Sequence, residues 1–280
     1  GRISAEWDVT PDVDLRFVAD WTVDDSDPKQ GHRLITSRFT GAPVLSDVYD
    51  TRAGLNAVEQ SYEGGGASLV CTWAINDTFT LKNIVAYRED ESTSPIDFDS
   101  LPTPDVDAPV LYENDQFSEE LQLLYSGDKL NGLVGVYYLD ANALNAFDVV
   151  LASTGDLISL PGLNAQTFGD VNTEAWSVFA DFTYDLTPQW SIALGGRYTE
   201  DDRSGQVLRT TFIGGVTDFF GGSAIPIAVT SDFNSSVSFD DFSPRISVSY
   251  QPNDTNNFYA TYSQGFKGGG FDPRGQTTAT

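Results

Sequence analysis

The feature that most restricts the fold of this chain is an alternation of apolar and polar side chains with a period of two, sustained over long runs. In "EAWSVFADFTYDL", Trp176, Val178, Ala180, Phe182 and Tyr184 share one side, against Ser177, Phe179, Asp181, Thr183 and Asp185 on the other. After Thr187-Pro188, "QWSIALGGRYTED" sets Trp190, Ile192, Leu194, Gly196 and Tyr198 against Ser191, Ala193, Gly195, Arg197 and Thr199. Near the start, "VDLRFVADWTV" sets Leu15, Phe17, Ala19, Trp21 and Val23 against Asp14, Arg16, Val18, Asp20 and Thr22. Successive strand residues point to opposite faces, so each run is a strand with one apolar and one charged face. An antiparallel sheet with a core side and a wet side gives the same alternation. Two features go further. The runs reach about ten residues, whereas globular strands average roughly five to six and membrane-barrel strands need roughly nine to eleven. Aromatics also close both ends of the apolar faces (Trp176 and Tyr184, then Trp190 and Tyr198), as in the two interfacial girdles of a barrel.

Turn chemistry divides the chain. Short turns fall at Thr10-Pro11-Asp12, Asn76-Asp77, Ser126-Gly127-Asp128, Thr187-Pro188 and Gln251 to Asp254. Between them lie polar connections at about 25–59, 92–112, 146–172 and 205–235. Long loops without structure are unusual in compact domains, whereas short turns at one end and long loops at the other mark an outer-membrane barrel. Ten strands are predicted, over about 1–9, 13–24, 60–75, 78–91, 113–125, 130–145, 173–186, 189–203, 236–250 and 256–267. No apolar run approaches the roughly 20 residues of a spanning helix.

Composition removes several functions. Fifteen basic against 41 acidic residues give a net charge of −26, the wrong sign for displacing counterions from nucleic-acid phosphates or for docking on anionic lipid. Cys71 is the one cysteine and His32 the one histidine, which excludes an intrachain disulfide, a cysteine zinc site and most imidazole catalysis. His32 reads as a solvated loop residue beside Lys29 and Arg33, with no nucleophile elbow. Glu119 and Glu120 are adjacent on a strand and must face opposite ways, so they cannot act as a glycosidase pair. The acidic run Glu89, Asp90, Glu91, Asp97, Asp99, Asp105, Asp107, Glu113, Asp115 could bind calcium or draw in a cationic ligand. It matches no EF-hand loop, and a solvated acidic loop is expected. Arg16, Arg197 and Arg245 share polar faces with Asp14, Asp20, Asp181 and Asp185, which predicts ion-pair ladders along a wall. Gly132, Gly135, Gly195 and Gly196 are expected where the wall bends or a plug comes close. The run Gly268–Gly270 follows Lys267 rather than preceding a lysine, so it is expected to be a flexible loop leaving a strand and not a phosphate loop.

Four segments then carry a family resemblance. "NFYATYSQGFKGGGFDPRG", "NDQFSEELQLLYSGDKLNGLVGVYYLD", "DFTYDLTPQWSIALGGRYTED" and "FDDFSPRISVSYQPNDTNNFYATYS" resemble strands and hairpins of TonB-dependent outer-membrane receptors, in the order that family has them. The resemblance is clear over about 78–275. It implies an all-β antiparallel transmembrane β-barrel portion, about ten strands of a 22-stranded barrel. Residues 1–280 would be an interior part of that barrel domain, with the plug domain and the C-terminal strands outside it. The implied role is import rather than catalysis, with TonB acting through the plug on a small nutrient ligand such as a ferric siderophore or other metal chelate. The implied setting is the outer membrane of a Gram-negative bacterium, among lipid and lipopolysaccharide. No residue is assigned to catalysis, to a cofactor or to a metal. A passive or adhesive barrel, and a soluble lectin-like β domain, stay open as alternatives.

Overall fold

The computed structural model describes residues 1–28, 31–38, 40–49, 54, 59–101 and 103–274. Among these, ten strands form one antiparallel sheet in sequence order. They are β1 (Arg2–Thr10), β2 (Val13–Asp24), β3 (Ser61–Ala74), β4 (Phe79–Asp97), β5 (Asp107–Ser126), β6 (Leu130–Val150), β7 (Asn164–Thr187), β8 (Trp190–Ile213), β9 (Ile225–Asn253) and β10 (Asn256–Ser263). A six-residue helix, α1 (Ala152–Leu157), and a 3-10 turn at Asp218–Phe220 interrupt the connections. No helix among the described residues is long and apolar enough to cross a membrane.

Every expected strand is present, and the short-turn ends agree with the sequence reading to within about three residues. Beyond β3 the other ends do not, whereas those of β1, β2 and β3 agree to within about one residue. The loops expected at 92–112, 146–172 and 205–235 shrink to 98–106, 151–163 and 214–224, because the strands run on as paired ladders. Thr93 still opposes Leu111, and Phe147 still opposes Thr167. Backbone pairing continues there without an apolar face, so the period-two signal fades while the strand does not. Pro95 opposite Pro109 hid the β4–β5 extension further, since proline argues against a strand. The tenth strand stops at Ser263, four residues short of the expected bound.

Register spreads the local alternation across the whole sheet. Leu194 opposes Phe182 on β7 and Ile246 on β9, while Val136 opposes Val178 on β7 and Leu121 on β5. These side chains form a continuous apolar face with no protein over it, and Leu194 is 54% exposed. Aromatic pairs bound the face. Towards the short turns Trp190 stacks on Tyr250 at 4.3 Å and Phe79 meets Tyr125 at 5.3 Å. Towards the long connections Trp176 meets Tyr198 at 5.7 Å and Phe117 meets Tyr138 at 6.5 Å. Trp190 to Tyr198 is roughly 26 Å along the strand, or about 20 Å of height at a tilt of about 40°, close to the apolar band of a barrel.

Apart from Ala193, on the inward face between Trp190 and Tyr198, the buried apolar residues sit elsewhere. Leu101, Val110, Ala146, Val150 and Val207 all lie beyond the Trp176–Tyr198 level, where the connections fold over the strand extensions. The molecule therefore has an uncovered apolar band below and a small protein-type core above it.

Candidate functional site

The inward face of the sheet, opposite the apolar band, carries the polar halves of the alternation. Two of its rungs share one design. Asp20 on β2, Gly66 on β3 and Arg88 on β4 stand in line, and Arg88 reaches across the glycine to bond Asp20 with Nη1–Oδ1 at 3.1 Å and Nη2–Oδ2 at 3.3 Å. Asp181 on β7, Gly195 on β8 and Arg245 on β9 repeat it, with Arg245 Nη1 donating to Asp181 Oδ2 at 2.6 Å. A Cβ at Gly195 would collide with Asp181 Oδ2, and one at Gly66 with the Tyr87 carbonyl oxygen. Glycine in the middle strand thus lets a long side chain lie flat along the wall and tie three strands together.

The expected ladders are met in part. Arg245 pairs with Asp181 as expected, and Asp20 pairs with Arg88, which lies outside the expected set. Arg16 faces Glu6 on β1 at 3.6 Å rather than Asp14 or Asp20. Arg197 lies over the rings of Tyr137 (5.3 Å) and Phe179 (5.6 Å), a cation–π contact, and its Nε donates to Thr199 Oγ1 at 3.2 Å. Gly132, Gly135 and Gly196 mark places where the Phe182, Phe179 and Phe242 rings lie over a bare strand. A neighbour's side chain fills the space at each. Glu119 and Glu120 do face opposite ways. Glu120 is on the inward face, and Glu119 is on the apolar face, where Asn83 Nδ2 donates to its Oε1 at 3.0 Å.

After β10 the chain turns back over the inward face. Arg203 Nη1 donates to the Gly269 carbonyl at 2.7 Å and Arg209 Nη1 to the Arg274 carbonyl at 3.2 Å. The Phe271 ring lies on Gly205 and 6.3 Å from Phe233, while Pro273 covers Gly169. The glycine run expected to be a flexible loop is therefore a docked strap across β7 to β9. Gly268 and Gly269 fit against Asp201 and Phe239, where a Cβ would crowd the wall. Phe271→Ala is expected to speed trypsin cleavage at Lys267 and Arg274 by roughly tenfold, since losing about 1.4 kcal/mol of ring burial raises the open population by that factor. The melting temperature should stay put. Unchanged cleavage would mean that the strap is not held by this ring.

The ends of the long connections form two buried polar clusters. In one, Asp148 accepts from the Thr217 amide at 2.6 Å and hydroxyl at 3.1 Å, while Gln166 Nε2 donates to Thr217 Oγ1 at 2.8 Å. Burial pushes the Asp148 carboxyl above its ordinary range, against those hydrogen bonds. This cluster braces the β8–β9 connection on β6 and β7. The other lies at the β4–β5 tip, where Asp97, Asp99, Asp105 and Asp107 are all buried. The acidic residues expected to be a solvated loop thus divide. Glu89, Asp90, Glu91, Glu113 and Asp115 lie on strands β4 and β5, and the four aspartates close up at the tip.

Within that tip, Asp97 Oδ1 accepts from the Asp99 amide at 3.1 Å and the Ser100 amide at 2.5 Å. Asp99 accepts from the Leu101 amide at 2.9 Å and the Val106 amide at 2.5 Å. Asp105 holds the β2–β3 connection, accepting at one oxygen from Ser37 Oγ (2.9 Å) and Thr40 Oγ1 (3.3 Å) and at the other from Thr103 Oγ1 (3.0 Å). Burial works to raise the Asp105 carboxyl, but its hydroxyl partners prevail and hold it below the usual value. Burial raises Asp99 to about 6, helped by the charges of Asp97 and Asp105. Burial, then the charges of Asp97 and Asp99, drives Asp107 well above the carboxylate range. His32 is half-buried in the β2–β3 connection, its neighbour Arg33 bonds the Asp99 carbonyl at 3.3 Å, and Lys29 and residues 275–280 lie outside the described residues.

The sequence matches the family of TonB-dependent receptor-like β-barrels over residues 3–280. The chain belongs to that family. No curated protein matches it by sequence. Among solved structures, the ferric yersiniabactin uptake receptor FyuA from Yersinia pestis aligns at a TM-score of 0.57 with 14% identity, covering 93% of this chain and 43% of that one. The siderophore receptor PiuA from Acinetobacter baumannii aligns at 0.59 with 13% identity, covering 90% and 39%. The ferric-catecholate import receptor Fiu from E. coli K12, in its open form, aligns at 0.53 with 14% identity, covering 90% and 44%. The chain thus spans about two fifths of the length of these structures, and at such identities the likeness is one of fold.

Proposed function

We propose that the protein is an outer-membrane receptor that binds a scarce nutrient, a ferric siderophore or similar chelate, and imports it by TonB-coupled passage. The observation that carries this reading is the family match over residues 3–280, on a sheet that is apolar outside and polar inside. In this reading the short turns face the periplasm and the long connections face outward. The open edges of β1 and β10 would be intolerable in lipid, so further strands, to a total of 22, complete the wall around a plug that engages TonB. The fold likenesses are to proteins described as siderophore or ferric-chelate receptors, which favours an iron chelate as cargo. Nothing in the wall resembles a catalytic constellation. Its Arg–Asp rungs hold strands together, and capture falls to the strap and the outer connections.

Deleting the gene is expected to abolish growth of the host on one ferric chelate as sole iron source. A plasmid copy should restore that growth, but not in a strain lacking TonB. Undiminished growth of the deletion strain on every iron, haem, cobalamin and carbohydrate source tried would sink the reading. Rescue without TonB would point to a passive pore instead.

A further inference from the structure

The β4–β5 tip holds a group of carboxylates that the wall does not need. One oxygen from each of Asp97, Asp99 and Asp107 lies within 4.8 Å of the others, and all three residues are buried. Asp107 is wholly buried, and neither of its oxygens receives a hydrogen bond from a described donor. The group that faces it is the Asp97 carboxyl, which has a proton to offer only if one of the two is neutral. A buried carboxylate without a donor costs several kcal/mol and is found paired or on a metal.

We propose that Asp97, Asp99 and Asp107 form a calcium site at the outer tip of β4 and β5. Calcium takes oxygen ligands at about 2.3–2.6 Å, so oxygens on opposite sides of one ion stand about 4.6–5.2 Å apart. The three carboxylates fit inside that sphere. Magnesium, at about 2.0–2.1 Å in a strict octahedron, asks for tighter spacing than an irregular loop supplies. Soft metals want thiolate or imidazole, and the sole cysteine, Cys71, lies on β3, far along the strand from this tip.

The scaffold suits a cation. Amide groups of the tip already fix Asp97 and Asp99, so these carboxylates need little further ordering to hold an ion. A Cβ at Gly54 would collide with Asp107 Oδ2, so the β2–β3 connection closes over the same carboxylate. Asp105 draws that connection in through Ser37 and Thr40. A bound ion would therefore lock two of the outer connections together, while water and loop carbonyls supply its other ligands. The proposal is independent of the cargo and of TonB.

The test uses the whole receptor in detergent, freed of metal with a chelator and then titrated with calcium chloride in a calorimeter. One ion should bind with a dissociation constant at or below about 1 mM, the range of extracellular calcium modules. The melting temperature should rise by several degrees, and magnesium should bind at least tenfold more weakly. Asp107→Asn should lose at least tenfold in affinity, while Asp77→Asn at a short turn should behave as wild type. Without calcium, Asp107→Asn should melt at or above wild type, since it removes a buried carboxyl that no described donor satisfies. Melting below wild type there would make Asp107 a structural acceptor and overturn the proposal. So would wild type that binds no calcium at about 1 mM, or Asp107→Asn that binds it undiminished.

Discussion

Leu194→Arg is expected to destabilise the wall by about 2–4 kcal/mol in a lipid bilayer, the cost of arginine at the midplane of a barrel's lipid face. Leu194 is central on β8 between Trp190 and Tyr198, and it is flanked by Phe182 and Ile246 on the paired strands. Being 54% exposed, it has little protein packing to lose, so the penalty comes almost wholly from the solvent it faces. In water such a substitution on an exposed strand position would fall within about 0.5 kcal/mol. Ser118→Arg on the inward face of β5 is the control, where arginine meets water. Urea titration of the whole receptor refolded into lipid vesicles checks the pair. Equal costs for the two variants would refute a lipid-facing band and revive the soluble β domain.

Gly66→Val is expected to cost about 1–3 kcal/mol, the range for forcing extra carbon into a packed site, and more than removing the ion pair that spans it. A Cβ there meets the Tyr87 carbonyl and the Arg88 Cα, which are backbone and cannot swing away. The Arg88–Asp20 pair is partly exposed, at 51% and 31% of the two side chains, and such pairs contribute about 0–1 kcal/mol. The glycine, not the charge, is therefore the costly part of the rung. Arg88→Ala should lower stability by less than about 1 kcal/mol and Gly66→Val by clearly more, measured in the same vesicle titration. The reverse order would show that the rung is held chiefly by its charges.

The wall was largely legible in the sequence, for reasons particular residues make plain. The run from Trp176 to Tyr184 and that from Trp190 to Tyr198 needed only strand geometry to yield two faces and two girdles. Thr187 Oγ1 accepts from the amides of Gln189 and Trp190 at 3.2 and 3.1 Å, a local turn whose chemistry is written in adjacent residues. Four features escaped, the docking of Gly268–Gly270 on the wall among them. The strand extensions lost their alternation once both faces left the apolar band. Arg88 was overlooked because its partner is 68 positions away, although the run Gly64–Gly66 on β3 was a usable sign of a side chain crossing a bare strand. The buried aspartates look solvated in the sequence because nothing within residues 92–112 indicates that Ser37, Thr40 and Gly54 of the β2–β3 connection come to lie against them.

By itself the sequence determined the number of strands, their faces, the end that bears the short turns, and the family, since each rests on neighbours a few residues apart. Only the tertiary structure decided where the buried core lies, which glycines admit a crossing side chain, that Gly268–Gly270 docks on the wall, and which aspartates converge. Those outcomes depend on contacts between segments far apart in the chain. A charged residue in a polar stretch has the same local pattern whether water or another loop comes to cover it.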